Sequence, residues 1–131
     1  MMRTLLVLPL LLAACRADET VSAFADPQAV YRLVEINGTP FAGRATIRFP
    51  EEGRVTGRGP CNSFTASQSA PYPWFKLGPL AATRALCPAI SAERAYFAAL
   101  AGMSEAEIMG GVLILRNDAG EEMVFQAEGA E

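Results

Sequence analysis

Alternating hydrophobic and polar positions predict that much of the chain forms short β-strands. In residues 31–36, YRLVEI, Tyr31 and Leu33 share one face, and the Asn-Gly pair that follows favours a tight turn. Residues 74–82 predict another strand, with a bend or a sheet edge at its Gly-Pro pair. Three later segments, separated by glycine-containing turns, predict a C-terminal meander. Its strands are Glu105–Met109, Val112–Arg116 and Glu122–Ala127.

A β-hairpin is predicted in the first half of the chain, with residues 45–49 and 54–57 as its strands. Residues 45–49 alternate cleanly, and a Pro-Glu-Glu-Gly turn follows them. We expect a five-residue loop, 50–54, because a four-residue loop would turn Arg54 into the core. The expected inward residues are Ala45, Ile47 and Phe49, and the expected cross-strand pairs are Phe49 with Val55 and Ile47 with Gly57.

One helix is predicted, over residues 92–101. Ser91 is a favourable N-cap, and Glu93 places an acid in the first turn, where the helix dipole favours negative charge. Gly102 is well placed to end the helix. Apolar residues at three- and four-residue spacing form the side expected to be buried: Ala92, Tyr96, Ala99, Leu100 and Met103.

Composition and charge exclude several classes of function. The chain has 131 residues, of which 51% are hydrophobic, and this fits one globular domain with a modest core. Its net charge of -3 lacks the positive excess that binding to a phosphate backbone needs, so nucleic acid is not an expected partner. The chain contains no histidine, the commonest general base and the usual zinc or haem ligand. We therefore assign no catalytic residue, metal or cofactor, and expect a protein that is not an enzyme.

The first residues have the pattern of a bacterial lipoprotein signal peptide. Met-Met-Arg supplies a positive start, and the apolar stretch at residues 5–12 is too short to span a bilayer core of about 30 Å. The stretch ends in Leu-Ala-Ala-Cys, which resembles the lipobox, where cleavage occurs before a lipid-modified cysteine. We expect residues 1–14 to be removed and Cys15 to carry the lipid. The alternative is an ordinary signal peptide followed by a chance cysteine.

The mature chain is expected to consist of a tether and one domain. Residues 15–27 have charged and small side chains without a clear period, so they predict a tether, and residues 28–131 predict the domain. Arg16 stands where an Asp causes inner-membrane retention in enteric bacteria, which favours the outer membrane. We expect a monomer that faces the periplasm, with the membrane as a partner through Cys15 and an unidentified envelope protein or lipid as another.

The two other cysteines predict one disulfide. Cys61 and Cys87 form an even pair in an oxidising compartment, and closing a loop of about 26 residues stabilises a fold by roughly 3.5 kcal/mol. A redox pair or a thiol nucleophile is the alternative, although the chain has no Cys-x-x-Cys motif and no histidine to generate a thiolate. Asn62 and Thr83, which lie near the cysteines, are assigned to hydrogen bonds at turns and strand ends.

Two surface features could bind a partner. On the predicted hairpin register, Arg44, Arg48 and Arg58 form a basic strip on the outer face, which is either simply solvated or in contact with an anionic surface. Residues 71–75, PYPWF, place Tyr72 and Trp74 in a loop. These aromatic side chains either cap the core or anchor a partner.

Three segments together resemble a known family. They are residues 57–64, GRGPCNSF, residues 78–87, GPLAATRALC, and Glu93, Phe97 and Leu100 on the predicted helix. In order and spacing they are similar to the META domain of HslJ-like envelope lipoproteins, over residues 30–126. The resemblance implies an α+β fold in which a strongly curved, largely antiparallel sheet of about seven short strands, a partly open barrel, packs on one helix. It also implies links to heat shock, motility and novobiocin resistance in some members, and no known catalytic residue.

Two functions are compatible with these patterns. The first is a non-catalytic accessory or interaction module in the envelope stress response. The second is a carrier of a small apolar ligand or lipid in a pocket between the curved sheet and the helix. The carrier requires a dry cavity, and its expected lining is Ile47, Leu77, Leu100 and Ile114.

Overall fold

The computed structural model describes Pro9 and residues 16–129, and these residues form one antiparallel sheet packed on a helix. The strands are β1 (Tyr31–Ile36), β2 (Thr39–Pro40), β3 (Thr46–Glu51), β4 (Arg54–Arg58), β5 (Ser63–Ser67), β6 (Ala81–Ala82), β7 (Glu105–Met109), β8 (Val112–Arg116) and β9 (Glu122–Ala127). Helix α1 spans Ile90–Ala101. The spatial order is β6-β5-β4-β3-β1-β9-β8-β7, with β2 beside β1. The predicted α+β class, a curved open sheet on one helix, is confirmed.

The inner face of the sheet and one side of α1 form the core. Ala45, just before β3, and Ile47 and Phe49 within it are buried as predicted, and α1 contributes Tyr96 and Leu100. The Tyr96 hydroxyl donates a hydrogen bond to the Thr46 carbonyl at 2.7 Å, and burial raises the pKa of Tyr96 well above its ordinary value. The meander completes the core with Leu113, Leu115, Met123 and Phe125.

The cavity expected between sheet and helix is not present at the predicted residues. Ile47 and Leu100 are both 0% exposed, so no solvent-sized void adjoins either side chain. Ile114 lies between the buried residues Leu113 and Leu115, and strand alternation therefore turns it to the other face of β8. At Ile47 and Leu100, the space that a carried ligand would occupy is therefore filled by side chains.

The β3–β4 hairpin has the predicted register at its centre and a different turn. Ile47 pairs with Gly57 as expected, but pairing resumes at Glu51 with Arg54, so the turn has two residues and the five-residue loop was wrong. Phe49 and Pro50 together oppose Val55, which is a β-bulge that absorbs the extra residue. The expected exposure of Arg54 is nevertheless correct.

Helix α1 begins before its predicted cap. Its first residue is Ile90, and the N-cap position is Ala89, which makes no side-chain capping bond, so Ser91 is not the cap. The Ile90 amide donates to the Cys87 carbonyl at 3.1 Å, so the turn that follows the cysteine leads directly into the helix. Glu93 lies in the first turn as predicted, but its side chain is buried.

The segment predicted as a strand over residues 74–82 is mostly a bridging loop. Only Ala81–Ala82 is a strand, and Pro79, which comes shortly before it, has no amide to donate to a ladder. In this loop Leu77 pairs with Gln68, the residue after β5, and Trp74 pairs with Glu105 at the start of β7. The loop therefore connects the two edges of the open sheet.

Part of the predicted tether belongs to the fold. Thr20 and Val21 are buried, and Val21–Ala23 form a 3-10 turn. Asp18 accepts hydrogen bonds from the amide and hydroxyl of Thr20 at 2.8 and 2.6 Å, and from the Ser22 hydroxyl. Although desolvation raises the pKa of Asp18, these hydrogen bonds lower it overall. The small apolar Val21 has a place in the core, so the chain from Thr20 onward is not a free tether.

Candidate functional site

The basic strip predicted on the outer face of the hairpin lies in one groove across β3, β4 and β5. The groove has a volume of about 400 Å³. Cross-strand pairing places Thr46 opposite Arg58 and Arg48 opposite Thr56, so the two arginines are diagonal neighbours on the same face. The groove is lined by Arg44, Arg48, Arg58, Thr46, Thr56, Ser63, Thr65, Val30, Gly57 and Phe64. We refer to it as the arginine groove.

The polar lining of the arginine groove is cationic or hydroxylic and contains no carboxylate. Among the residues that the structure describes, no acid lies within ion-pair distance of Arg48 or Arg58. The Nε atom of Arg48 is buried and has no hydrogen-bond partner in the described part of the chain. The groove therefore concentrates unpaired donors on a protein whose net charge is negative.

Arg44 differs from the other two arginines because it is paired. Its guanidinium forms a salt bridge with Glu128, just beyond β9. The hydrogen bond and the charge of Glu128 raise the pKa of Arg44, and the same hydrogen bond lowers the pKa of Glu128. Glu128 thus neutralises one edge of the arginine groove.

Residues 71–75, which we call the aromatic loop, both cap the core and remain partly exposed. Phe75 is buried, and the Tyr72 hydroxyl accepts a hydrogen bond from the Ile108 amide at 3.1 Å. The Tyr72 ring also stacks on Phe24, with ring centroids 4.0 Å apart. Trp74 is 55% exposed, so its side chain is accessible to a partner. Tyr72 and Trp74 do not line the arginine groove.

The two cysteines join the turn after β4 to the start of α1. Cys61 and Cys87 form the predicted disulfide, with their Cα atoms 5.7 Å apart. Next to it, the Asn62 side chain accepts hydrogen bonds from the Thr83 hydroxyl at 2.9 Å and the Ala85 amide at 2.7 Å. Asn62 and Thr83 therefore have the turn and strand-end roles predicted for them.

Glu93 completes this turn with a buried carboxylate. Its Oε1 atom accepts hydrogen bonds from the amides of Cys61 and Asn62 at 3.0 and 2.6 Å. Its Oε2 atom accepts one from the Asn62 side-chain amide at 2.6 Å. Since all of these donors belong to the turn that Glu93 holds, this buried acid has a structural role.

The described part of the chain has neither a cluster of metal-binding side chains nor a helix that could span a membrane. Residues 16–129 contain no group of three or more Cys, Asp or Glu side chains that could hold a metal ion. Within the same residues, no helix has the length and hydropathy needed to cross a bilayer. Cys15 and most of the predicted signal peptide lie outside the described residues, so lipidation stays a prediction.

Comparison with known proteins decides the family. The META domain family matches residues 24–130. The chain belongs to the META domain family. The match begins at Phe24, close to the buried N-terminal turn and ahead of the predicted boundary at residue 28.

Solved structures show the same fold as this META domain. A protein from Burkholderia xenovorans, solved by NMR, has 20% identity and a TM-score of 0.66, over 89% of this chain and 94% of that one. A second NMR structure has 19% identity and a TM-score of 0.59, over 78% of this chain and 94% of the other. No curated protein matches the chain significantly. At these identities the likeness concerns the fold alone.

Several residues of the candidate surfaces are not predicted by the sequence patterns. Ser63 and Thr65 lie on β5, which was not predicted as a strand, and they line the arginine groove. Alternation in SFTAS was the available signal, although it contains only one large apolar residue. Phe24 was assigned to the tether, and nothing in its local pattern indicates that it stacks on Tyr72.

Proposed function

We propose that this META domain protein is a lipid-anchored periplasmic lipoprotein that acts as a non-catalytic accessory or interaction module in the envelope stress response. The observation that supports lipid anchoring is the Leu-Ala-Ala-Cys sequence at the end of a short apolar stretch. A thiol in this position resembles the lipid attachment point of bacterial lipoproteins. Because each buried CH₂ contributes about 0.8 kcal/mol, several acyl chains on Cys15 would hold the domain stably on a membrane.

The disulfide supports an extracytoplasmic location. Disulfides persist in the periplasm and are rare in the reducing cytosol. The Cys61–Cys87 bond closes a long loop between the sheet and α1, so a reducing compartment would cost this domain a structural cross-link.

A short tether would orient the domain on the membrane. Thr20 is buried, so the free chain between it and Cys15 is at most four residues, or about 14 Å when extended. The Tyr72 amide donates a hydrogen bond to the Glu19 carbonyl at 2.7 Å, so the aromatic loop lies beside the tether. The exposed Phe24 and Trp74 side chains are then available close to the bilayer surface, where aromatic residues are favoured.

The substitution Cys15→Ser tests the anchor. Serine has no thiol for lipid attachment, so we expect this variant to lose the lipid and leave the membrane fraction. Labelling with a radioactive fatty acid and fractionation of the envelope measure both effects. The matched control is Cys61→Ser with Cys87→Ser, which replaces the two disulfide-bonded cysteines and should leave the protein membrane-bound. Wild-type protein recovered from the soluble periplasm with a free Cys15 thiol would contradict the proposal.

The same strains test membrane choice and the stress role. Arg16→Asp should move the protein to the inner membrane fraction if the sorting rule of enteric bacteria applies in this host. A strain that lacks the protein should survive envelope stress less well and should be rescued by the wild type but not by Cys15→Ser. Full rescue by the unanchored variant would show that the accessory role does not need the membrane.

A further inference from the structure

We infer that the arginine groove is a binding site for a phosphate group. The groove presents three arginines and four hydroxyl side chains without a lining carboxylate. The chain as a whole carries more acids than bases, so this separation of charge is local and not a consequence of composition. The inference does not require the Cys15 anchor.

The register of the sheet explains why an anion would be favoured there. Arg48 and Arg58 occupy diagonal positions on neighbouring strands. Residues at such positions are about 7 to 8 Å apart, and long side chains reach one another across this distance. Like charges at such positions are unfavourable. An anion held between the two guanidinium groups would replace this repulsion with attraction.

The Nε atom of Arg48 supplies a second, independent observation. It is buried and has no hydrogen-bond partner among the described residues. A buried donor without an acceptor costs free energy, and such donors in native structures call for an explanation. An oxyanion in the groove would accept this hydrogen bond.

Phosphate fits the donor set better than a carboxylate does. Guanidinium groups bind phosphate through two parallel hydrogen bonds, and Arg48 and Arg58 can approach from different strands. The hydroxyls of Thr56, Ser63 and Thr65 add donors from β4 and β5, as a tetrahedral anion requires. A groove of about 400 Å³ has room for a substituent on the phosphate, so we assign the ligand class to phosphate esters. Their source is either a phospholipid headgroup or a soluble metabolite.

Residues 16–131 are suitable for the test because the described core begins at Val21, after the proposed anchor. The ¹⁵N-labelled chain is titrated with glycerol 3-phosphate at constant ionic strength, and the Arg Nε–H signals are followed by NMR. We expect a saturable shift of the Arg48 signal, with sodium chloride alone giving none. Arg48→Gln with Arg58→Gln should weaken binding about tenfold or more, measured in wild type and variant from the backbone amide signals of β4 and β5.

Two further variants make the result specific. Arg84→Gln with Arg94→Gln removes the same charge from exposed positions outside the groove and should leave the affinity unchanged. Glu128→Gln frees Arg44 from its salt bridge and should tighten binding about two- to fivefold. An equal loss in both double variants would overturn the inference, since it would show general attraction to exposed charge.

Vesicles distinguish the two sources of phosphate. Co-sedimentation of residues 16–131 with phosphatidylglycerol vesicles, compared with phosphatidylcholine vesicles, tests the headgroup. Binding that depends on Arg48 and Arg58 assigns the site to the lipid, and a response to glycerol 3-phosphate alone assigns it to a soluble ester. No response to either probe would refute the phosphate site. Because the chain used here lacks Cys15, failure of the anchor proposal would not change these results.

Discussion

Glu93 shows how one buried side chain holds a turn that its sequence alone leaves undetermined. Its carboxylate accepts three hydrogen bonds from Cys61 and Asn62, so no part of its charge lacks a donor. A Cβ atom on Gly59 would lie 2.6 Å from the Glu93 Oε1 atom, which explains why glycine occupies that position. The Gly-Pro-Cys-Asn turn and the first turn of α1 are therefore one structural unit.

Replacing Glu93 with glutamine should destabilise this unit. The side chain keeps its size, but it loses the negative charge and turns an amide toward donors, so we expect a loss of about 2 to 3 kcal/mol in the free energy of unfolding. Urea denaturation measures it. The control is Glu52→Gln, an exposed acid without an ion pair among the described residues, which should change stability by less than about 0.5 kcal/mol. Equal effects in the two variants would show that the hydrogen bonds at Glu93 contribute nothing specific.

The elements differ in how well their own residues predict them. All three meander strands and β1 have the predicted limits, because each is a short segment rich in apolar residues next to a turn that contains glycine or asparagine. Strand β5 was missed because Phe64 is its only large apolar residue, and its place depends on pairing with β4. The start of α1 depends on the disulfide-linked turn, and the capping preferences of nearby residues carry no information about that link.

The same distinction applies to the candidate site. Alternation along the hairpin strands is enough to predict that Arg44, Arg48 and Arg58 share one face, and the groove that they line confirms it. The contribution of Ser63 and Thr65 could not be predicted, because it requires a third strand. The salt bridge from Arg44 to Glu128 joins residues that are far apart in the chain and meet only when β9 lies near β3.

Loss of the disulfide should weaken the connection between the sheet and α1. Cys61→Ala with Cys87→Ala is expected to lower the free energy of unfolding by roughly 3.5 kcal/mol in the chain-entropy model. Adding Glu93→Gln should cost less than the sum of the separate changes, because both interactions hold the same turn. Denaturation of the three variants measures the coupling. Strictly additive losses would contradict it, and two alkylatable thiols in the native protein would contradict the disulfide itself.

At the scale of the whole molecule, carboxylates secure both ends of the described chain. Asp18 holds the N-terminal turn through Thr20 and Ser22. Glu128 holds the C-terminal end through Arg44, and its amide donates to the Val30 carbonyl at 2.8 Å. Both acids have pKa values below their ordinary values. The stability of both ends is therefore coupled to pH.

Acid should loosen these ends before it unfolds the core. The folded pKa values of Asp18 and Glu128 are lowered, so the unfolded chain binds more protons as pH falls. The stability that they contribute is complete above the unfolded pKa, about 4, and is lost as pH falls through the folded values. Amide hydrogen exchange at about pH 3 and pH 6 measures the change, which we expect to be larger near Thr20 and Glu128 than in β8. Asp18→Asn with Glu128→Gln should reduce this difference between the two pH values. If the double variant kept the full acid response at both ends, other carboxylates would be responsible for it.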